Sequence, residues 1–245
     1  MVKKAESPNI IGVIHARGGS KRIPLKNLAL LGGKPLVSYM ITAALNSKYL
    51  RQVIVSTDHP EIKKVALDYK AQVPFMRPAN LAEDCPSEWV TKHAVEFVES
   101  QESKKIDIVV TMQPTTPFCR ALDIDACIDL LLANKNMGSV FTAKQARERP
   151  EWMFRINDGG FAELLIEGKL EGERGIFQSL PKLVMPNGAA YATTRNTLFK
   201  EGVLISKKTG VHLMSDVLSV DIDEPVDLLF AEFLLNKKEV IVNGQ

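Results

Sequence analysis

The chain has 245 residues, of which 45% are hydrophobic, enough for one large domain with a sizeable core. Its 31 Lys and Arg nearly balance 29 Asp and Glu, and a net charge of +2 excludes nucleic-acid or membrane-surface binding by bulk electrostatics. Cys85, Cys119 and Cys127 are odd in number and lack metal-ligand spacing, the four histidines are scattered singly, and no apolar run suits a signal peptide or a membrane span, so a cytoplasmic protein with reduced thiols and no zinc site is expected.

The charge is unevenly placed. From Ser7 to Thr57 there are seven Lys or Arg and no Asp or Glu, which points to a local anionic ligand. Ile10–Ile14 is a short apolar run suited to a central strand buried on both faces. It runs into the loop His15–Asn27, which packs Gly18, Gly19, Ser20 and the four cations Arg17, Lys21, Arg22 and Lys26 into thirteen residues. Pro35–Ser47 follows as a helix, Val53–Asp58 as a strand with a polar end, and Pro60–Tyr69 as a helix. Val73–Met76 is expected as an edge strand broken by Pro74, and residues 77–87 as a loop. Glu88–Gln101 is helical, Ile106–Met112 a central strand stopped by Gln113-Pro114-Thr115-Thr116-Pro117, Asp123–Ala133 a helix and Val140–Ala143 a strand.

The pattern changes at Lys144. Residues 145–186 are charged and broken, with Met153–Ile156 and Phe161–Ile166 as a hairpin around Gly159-Gly160; such a β-excursion serves as a lid or a subunit contact. Ala189–Ala192, Val211–Met214 and Leu218–Ile222 are expected as strands, Arg195–Phe199 as a short helix and Pro225–Leu235 as a closing helix. The alternation specifies an α/β fold: a Rossmann-like, mostly parallel sheet with helices on both faces, in one domain over 1–245, with ligands at the carboxyl ends of the strands.

Four stretches are chemical candidates. The basic loop is not the Gly-x-Gly-x-x-Gly dinucleotide fingerprint, because Gly18 and Gly19 are adjacent, and it lacks the Gly-Lys-[Ser/Thr] of a nucleotide-triphosphatase loop. It is either a basic surface turn or a backbone nest with Arg17, Lys21 and Lys26 reaching phosphate oxygens. One cation at about 4 Å from an anionic oxygen contributes on the order of 4 kcal/mol at an effective dielectric near 20, so three or four such contacts hold a triphosphate only with a metal's help. Asp221 and Asp223, two residues apart, would face one side of a strand; a pair of like charges so placed either holds a cation such as Mg²⁺, or Asp223 caps the helix that follows. Gln113 ends a buried strand at the ligand-binding edge. Asn187-Gly188-Ala189-Ala190-Tyr191 is small enough for a ligand or a backbone to come close.

Taken in order, His15–Asn27, Gly33-Lys34-Pro35-Leu36, Ile54–Asp58, Phe75-Met76-Arg77-Pro78, Gln113–Pro117, Pro186-Asn187-Gly188-Ala189 and Asp221-Ile222-Asp223 resemble the CMP-sialic acid synthetases (acylneuraminate cytidylyltransferases) over nearly the whole chain. The resemblance implies transfer of CMP from CTP to the anomeric hydroxyl of an acidic nine-carbon sugar, with release of pyrophosphate. It implies Arg17, Gly18, Gly19, Ser20, Lys21 and Lys26 around the triphosphate, and Asn27, Arg77 and Ser87 near the cytidine. Gln113, Asn187 and Tyr191 fall on the sugar side, and Asp221 and Asp223 become Mg²⁺ ligands; Arg17 and Lys26 join the two aspartates as the catalytic set. A homodimer, with 145–186 reaching into the partner's site, is also implied. His15 stands where relatives have Pro. Met185 and Phe177 stand where N-acetylneuraminate enzymes carry arginines, which admits a related nonulosonate of the legionaminate or pseudaminate type, with Arg147, Arg149, Arg155 or Arg174 as compensating cations. The alternatives are an octulosonate-type acceptor, or a CTP-binding module without the sugar site.

Overall fold

The computed structural model describes residues 7–166 and 181–237. Strand β1 (Ile10–His15) is buried on both faces and leads through the basic loop to a hairpin of β2 (Leu30–Leu31) and β3 (Lys34–Pro35). Gly32 and Gly33 turn that hairpin at φ +54° and +75°, the two positive values a tight two-residue turn requires. A Cβ on Gly32 would lie 2.2 Å from Leu235 Cδ2, so close packing also demands glycine there. Helix α1 (Leu36–Leu45), strand β4 (Gln52–Ser56), helix α2 (Pro60–Asp68), the single turn α3 (Ala79–Ala82), helix α4 (Ser87–Glu102) and strand β5 (Ile108–Met112) follow. Helix α5 (Ala121–Ala133) and strand β6 (Ser139–Gln145) precede the small hairpin β7 (Phe154–Ile156) and β8 (Ala162–Leu164). Strand β9 (Val184–Thr194), a helical turn at Thr197–Glu201, strand β10 (Thr209–Leu213) and helix α6 (Pro225–Asn236) complete the described chain.

The main sheet has six strands in the order β10-β6-β9-β5-β1-β4. All are parallel except β9, which runs antiparallel to both β5 and β6. Successive β1 side chains alternate between the faces: Ile10 and Ile14 pack with α1, α2, α5 and α6, whereas Ile11 and Val13 pack with α4. Each such side chain, fully buried, contributes about 1.5–3 kcal/mol. The expected α/β architecture with helices on both faces is therefore present.

Two expected strands are absent. Val73–Met76 forms no strand; a single parallel bridge, Ile54 to Gln72, ends the pairing just before Val73, and Pro74 has no amide to extend it. Leu218–Ile222 is the end of a turn followed by irregular backbone: Ser219 N–H donates to the Ser215 carbonyl at 3.0 Å, and Ile222 N–H to the Thr115 carbonyl at 2.8 Å. Leu218 and Ile222 are both buried, but the turn through Ser219 takes the backbone out of any strand ladder. The region 77–87, expected as loop, contains α3. The expected hairpin around Gly159-Gly160 is present as β7–β8.

Candidate active site

Strands β1, β4 and β5 end side by side, with His15 opposite Ser56 and Ile14 opposite Met112. Above these ends lies a cleft of about 710 Å³. His15, Arg17, Ser20, Lys21, Lys26, Asn27, Arg77, Ser87, Gln113, Asp221 and Asp223 all line it, so residues from 15 to 223 in the chain converge on one space. A smaller pocket of about 370 Å³ adjoins it, sharing Ser87 and Gln113 and adding Tyr191, Thr111 and the apolar Val203-Leu204-Ile205. Gly18 and Gly19 do not line the cleft.

The basic loop is built from side chains more than from backbone. Gly18 N–H donates to Asp58 Oδ1 at 2.8 Å and Ser20 N–H to the Gly18 carbonyl at 2.9 Å, so these two amides are committed within the chain. A Cβ on Gly18 would lie 2.9 Å from the His59 ring, which explains the glycine. Asn27 is buried and spends its amide on the Arg17 carbonyl at 2.8 Å, tying the loop's two ends together. Leu25 adopts left-handed backbone at φ 49° immediately before the short helical turn Lys26–Leu28, a conformation that costs a non-glycine residue about 1–2 kcal/mol. The turn aims Lys26 across the cleft, where its ammonium donates to the Ile222 carbonyl at 2.7 Å and to Asp223 Oδ1 at 2.8 Å.

Asp221 and Asp223 flank the buried Ile222, so both carboxylates reach the cleft although no strand carries them. Asp223 does not cap α6: Glu224 is the cap, in a capping box with Asp227, whose carboxylate accepts from the Asp223 and Glu224 amides at 2.9 and 2.7 Å. The two carboxyls titrate apart. The Lys26 ammonium bonded to Asp223 holds its carboxyl below the ordinary aspartate value. Desolvation pushes Asp221 above it, the Thr115 hydroxyl opposes this, and the Asp223 charge adds to it. A carboxylate left uncompensated beside another suits a hard divalent cation. Among the described residues no cluster of three or more Asp, Glu, His or Cys exists, so this pair could hold a Mg²⁺ whose other ligands are phosphate oxygens and water.

Arg77 is buried and donates to the Ser56 carbonyl at 2.6 Å, to Ser56 Oγ at 3.1 Å and to the Leu81 carbonyl at 3.5 Å. It braces the end of β4 against α3 and keeps a positive charge in the cleft wall. That charge, after desolvation, holds His15 neutral, with its pKa lowered to about 3. Because the unfolded chain's histidine takes up a proton near 6.5 and the folded one does not, folding stability is complete above about 6.5 and falls as pH drops toward 3, by up to about 1.4 kcal/mol per pH unit. Chemical denaturation of His15→Asn between pH 7 and 4 is expected to show a flatter acid loss than the parent; identical slopes would remove His15 as its source.

Asn187 lies elsewhere than expected. It is buried at the irregularity where β9 shifts register against β6. Its Oδ1 accepts from Thr142 Oγ1 at 2.6 Å and its Nδ2 donates to Ser219 Oγ at 2.9 Å. Its amide is spent on the core and is not offered to a sugar. Asn187→Ala is expected to destabilise the protein by about 2–4 kcal/mol, because buried polar partners lose their bonds; a calorimetric melt within a degree of the parent would contradict this.

Of the arginines expected to compensate for Met185 and Phe177, Arg147 pairs with Asp216, Arg149 donates to the Pro181 carbonyl at 2.6 Å, and Arg155 lies exposed on β7. Met185 is half-exposed on β9 opposite Lys144. Phe177 and Arg174 lie outside the described residues. Two residues that line the cleft have no role assigned from the sequence: Thr115, inside the Gln113–Pro117 turn, and Asp84, which bridges Arg17 and Lys21 at 2.7 Å each and lies in a stretch without periodicity. Asp58, just past the end of β4, holds the loop through the Gly18 amide without lining the cleft.

Comparison with known proteins gives the family. Residues 11–157 match the family model described as "Cytidylyltransferase". The chain is 33% identical to the CMP-N,N'-diacetyllegionaminic acid synthase of Legionella pneumophila, covering 92% of this chain and 96% of that one. It is also 33% identical to the pseudaminic acid cytidylyltransferase of Campylobacter jejuni, over 91% and 94% of the two chains. A solved CMP:2-keto-3-deoxy-manno-octonic acid synthetase complexed with CTP shares the fold, with a TM-score of 0.67 at 17% identity over 94% of this chain and 99% of that one. A cleft that gathers loop cations and a carboxylate pair at the parallel strand ends thus sits in a chain that belongs to the cytidylyltransferase family, a family of nucleotidyltransferase enzymes.

Proposed function

We propose that the protein transfers CMP from CTP to a nine-carbon acidic sugar of the diacetylated legionaminate or pseudaminate class, using Mg²⁺, as a cytoplasmic homodimer. The observation that carries this is the convergence of Arg17, Lys21 and Lys26 with Asp221 and Asp223 in one cleft that opens into a second pocket walled by Tyr191 and Val203-Leu204-Ile205. The first space suits a nucleoside triphosphate, and the second suits an acceptor with apolar substituents. The names of the relatives narrow the acceptor to acidic sugars, and the absence of an arginine at 185 favours the bacterial acids over N-acetylneuraminate.

In this reading the acceptor hydroxyl attacks the α-phosphorus, the new P–O bond forms as the bond to pyrophosphate breaks, and the hydroxyl proton is released. The chain's contribution is position and charge more than covalent chemistry. Arg17 and Lys21 face the polyphosphate from the loop. Lys26 reaches it from the other side while fixing the backbone of Ile222. Arg77 stiffens the wall beneath the nucleoside. Gln113 from the shared wall and Tyr191 from the second pocket orient the acceptor. Mg²⁺, held by Asp221 and Asp223, would neutralise phosphate charge that these cations leave uncovered. A dimer is supported by the exposed apolar side chains of the excursion: Phe154, Ile156 and Phe161 are 50%, 77% and 72% accessible, a patch of the kind that subunit contacts cover. The free thiols of Cys85, Cys119 and Cys127 fit a reducing compartment.

The test is pyrophosphate release from CTP and Mg²⁺ with a panel of sialic, legionaminic, pseudaminic and octulosonic acids. Turnover is expected with a diacetylated nonulosonate. Tight CTP binding with no turnover on any acid would overturn the enzyme reading, and turnover on the octulosonate alone would reassign the acceptor.

A further inference from the structure

The four residues that join α3 to α4, Glu83-Asp84-Cys85-Pro86, form one wall of the cleft. Asp84 leans from this wall onto the basic loop. Its Oδ1 meets Arg17 Nη1 at 2.7 Å and its Oδ2 meets Lys21 Nζ at 2.7 Å. Each oxygen of one carboxylate thus takes one loop cation, the arrangement in which a phosphoryl group would bridge them. The tie is open to solvent: the Asp84 side chain is 61% accessible and that of Lys21 80%. Exposed pairs of this kind are weak, screened by salt and readily exchanged. A polyphosphate brings several negative charges to the same two cations, and a displaced Asp84 is rehydrated at little cost.

We propose that Asp84 is an exchangeable internal anion: it occupies the polyphosphate position between Arg17 and Lys21 in the free enzyme, yields it to the incoming triphosphate, and reclaims it as pyrophosphate leaves. This rests on the reading that Arg17 and Lys21 receive the polyphosphate, and it adds a competitor built into the chain. The contact holds the two cations in place and offsets part of their charge between turnovers, and it lowers the affinity for any anion that must displace it.

Isothermal titration of the full chain with inorganic pyrophosphate, and separately with CTP, tests this at low salt. Asp84→Asn is expected to tighten both ligands severalfold, with the gain shrinking as salt is raised. Glu83→Gln removes the same charge one residue away from the contact and is expected to change affinity much less. Equal effects of the two variants would show a general field and overturn the proposal, as would weaker binding in Asp84→Asn, which would make Asp84 a support for the cations. Arg17→Ala reports on the underlying reading separately: loss of pyrophosphate binding supports it, and unaltered binding would remove the loop from the polyphosphate site whatever Asp84 does.

Discussion

Lys26→Ala is expected to lower kcat/KM for CTP by about 10²–10³-fold, the range seen when one preorganised donor to developing charge is removed. Three features make the effect large. The side chain is only 14% accessible, so its charge acts with little screening. It is held at both a carbonyl and a carboxylate, so it need not be ordered when substrate arrives. It is also the cation that joins the loop to the segment bearing the aspartates. The fold should survive, since the lost pair is partly exposed on the Asp223 side; we expect about 1 kcal/mol of destabilisation and a fall in melting temperature of about 2–4 °C. Lys26→Arg should not rescue activity, because a planar guanidinium cannot replace a compact ammonium at these two acceptors. Near-normal steady-state kinetics in Lys26→Ala would take the loop out of the mechanism.

The second large effect is expected from the aspartates. Asp221→Asn and Asp223→Asn should each raise the Mg²⁺ concentration for half-maximal activity at least about tenfold, since even outer-shell changes at metal sites cost 10–100-fold in affinity. Their stabilities should separate. The Asp221 carboxyl has a folded pKa above its unfolded value, so the native state disfavours its ionised form, and stability is lost as pH rises through the interval between the two values. At neutral pH Asp221→Asn removes that penalty and keeps an acceptor for Thr115, so the metal-free variant should melt above the parent. Asp223 has the opposite shift because of Lys26, so Asp223→Asn should melt below it. A metal titration unchanged in both variants would return the pair to a structural role, and a lowered melting point for Asp221→Asn would make that residue an anchor.

Much of this was legible without coordinates because it depends on local chemistry. Ile10–Ile14 reads as a buried strand from its apolar run alone, and the loop's cations stand out because no acid lies near them in the chain. The antiparallel run of β9 was not legible: Ala189–Ala192 reads as a buried strand in either direction, and only its pairing with β5 and β6 decides. Asp221 and Asp223 were placed together for a reason that proved incomplete. They share the cleft because Ile222 is pinned to Thr115, a contact across 107 residues that no periodicity reports. Asn187 shows the converse. Its small neighbours suggested ligand access, whereas the register shift they permit turns its amide into the core. The pairing of Asp84 with Arg17 and Lys21 left no trace, since one aspartate in an irregular stretch resembles any other.

The bond from Lys26 to the Ile222 carbonyl spans 196 residues, and that separation has a kinetic meaning. At ribosomal rates of roughly 5–20 residues per second, about 10–40 s pass between the emergence of the lysine and that of its partners. During that time β1, β4 and β5 can pair, yet the cleft lacks its far wall. One of the longest loop closures among the described residues therefore coincides with completion of the site. Competence to bind should appear late and in one step during refolding, after the sheet has formed, and a chain halted on the ribosome before α6 should carry a folded sheet with no working centre.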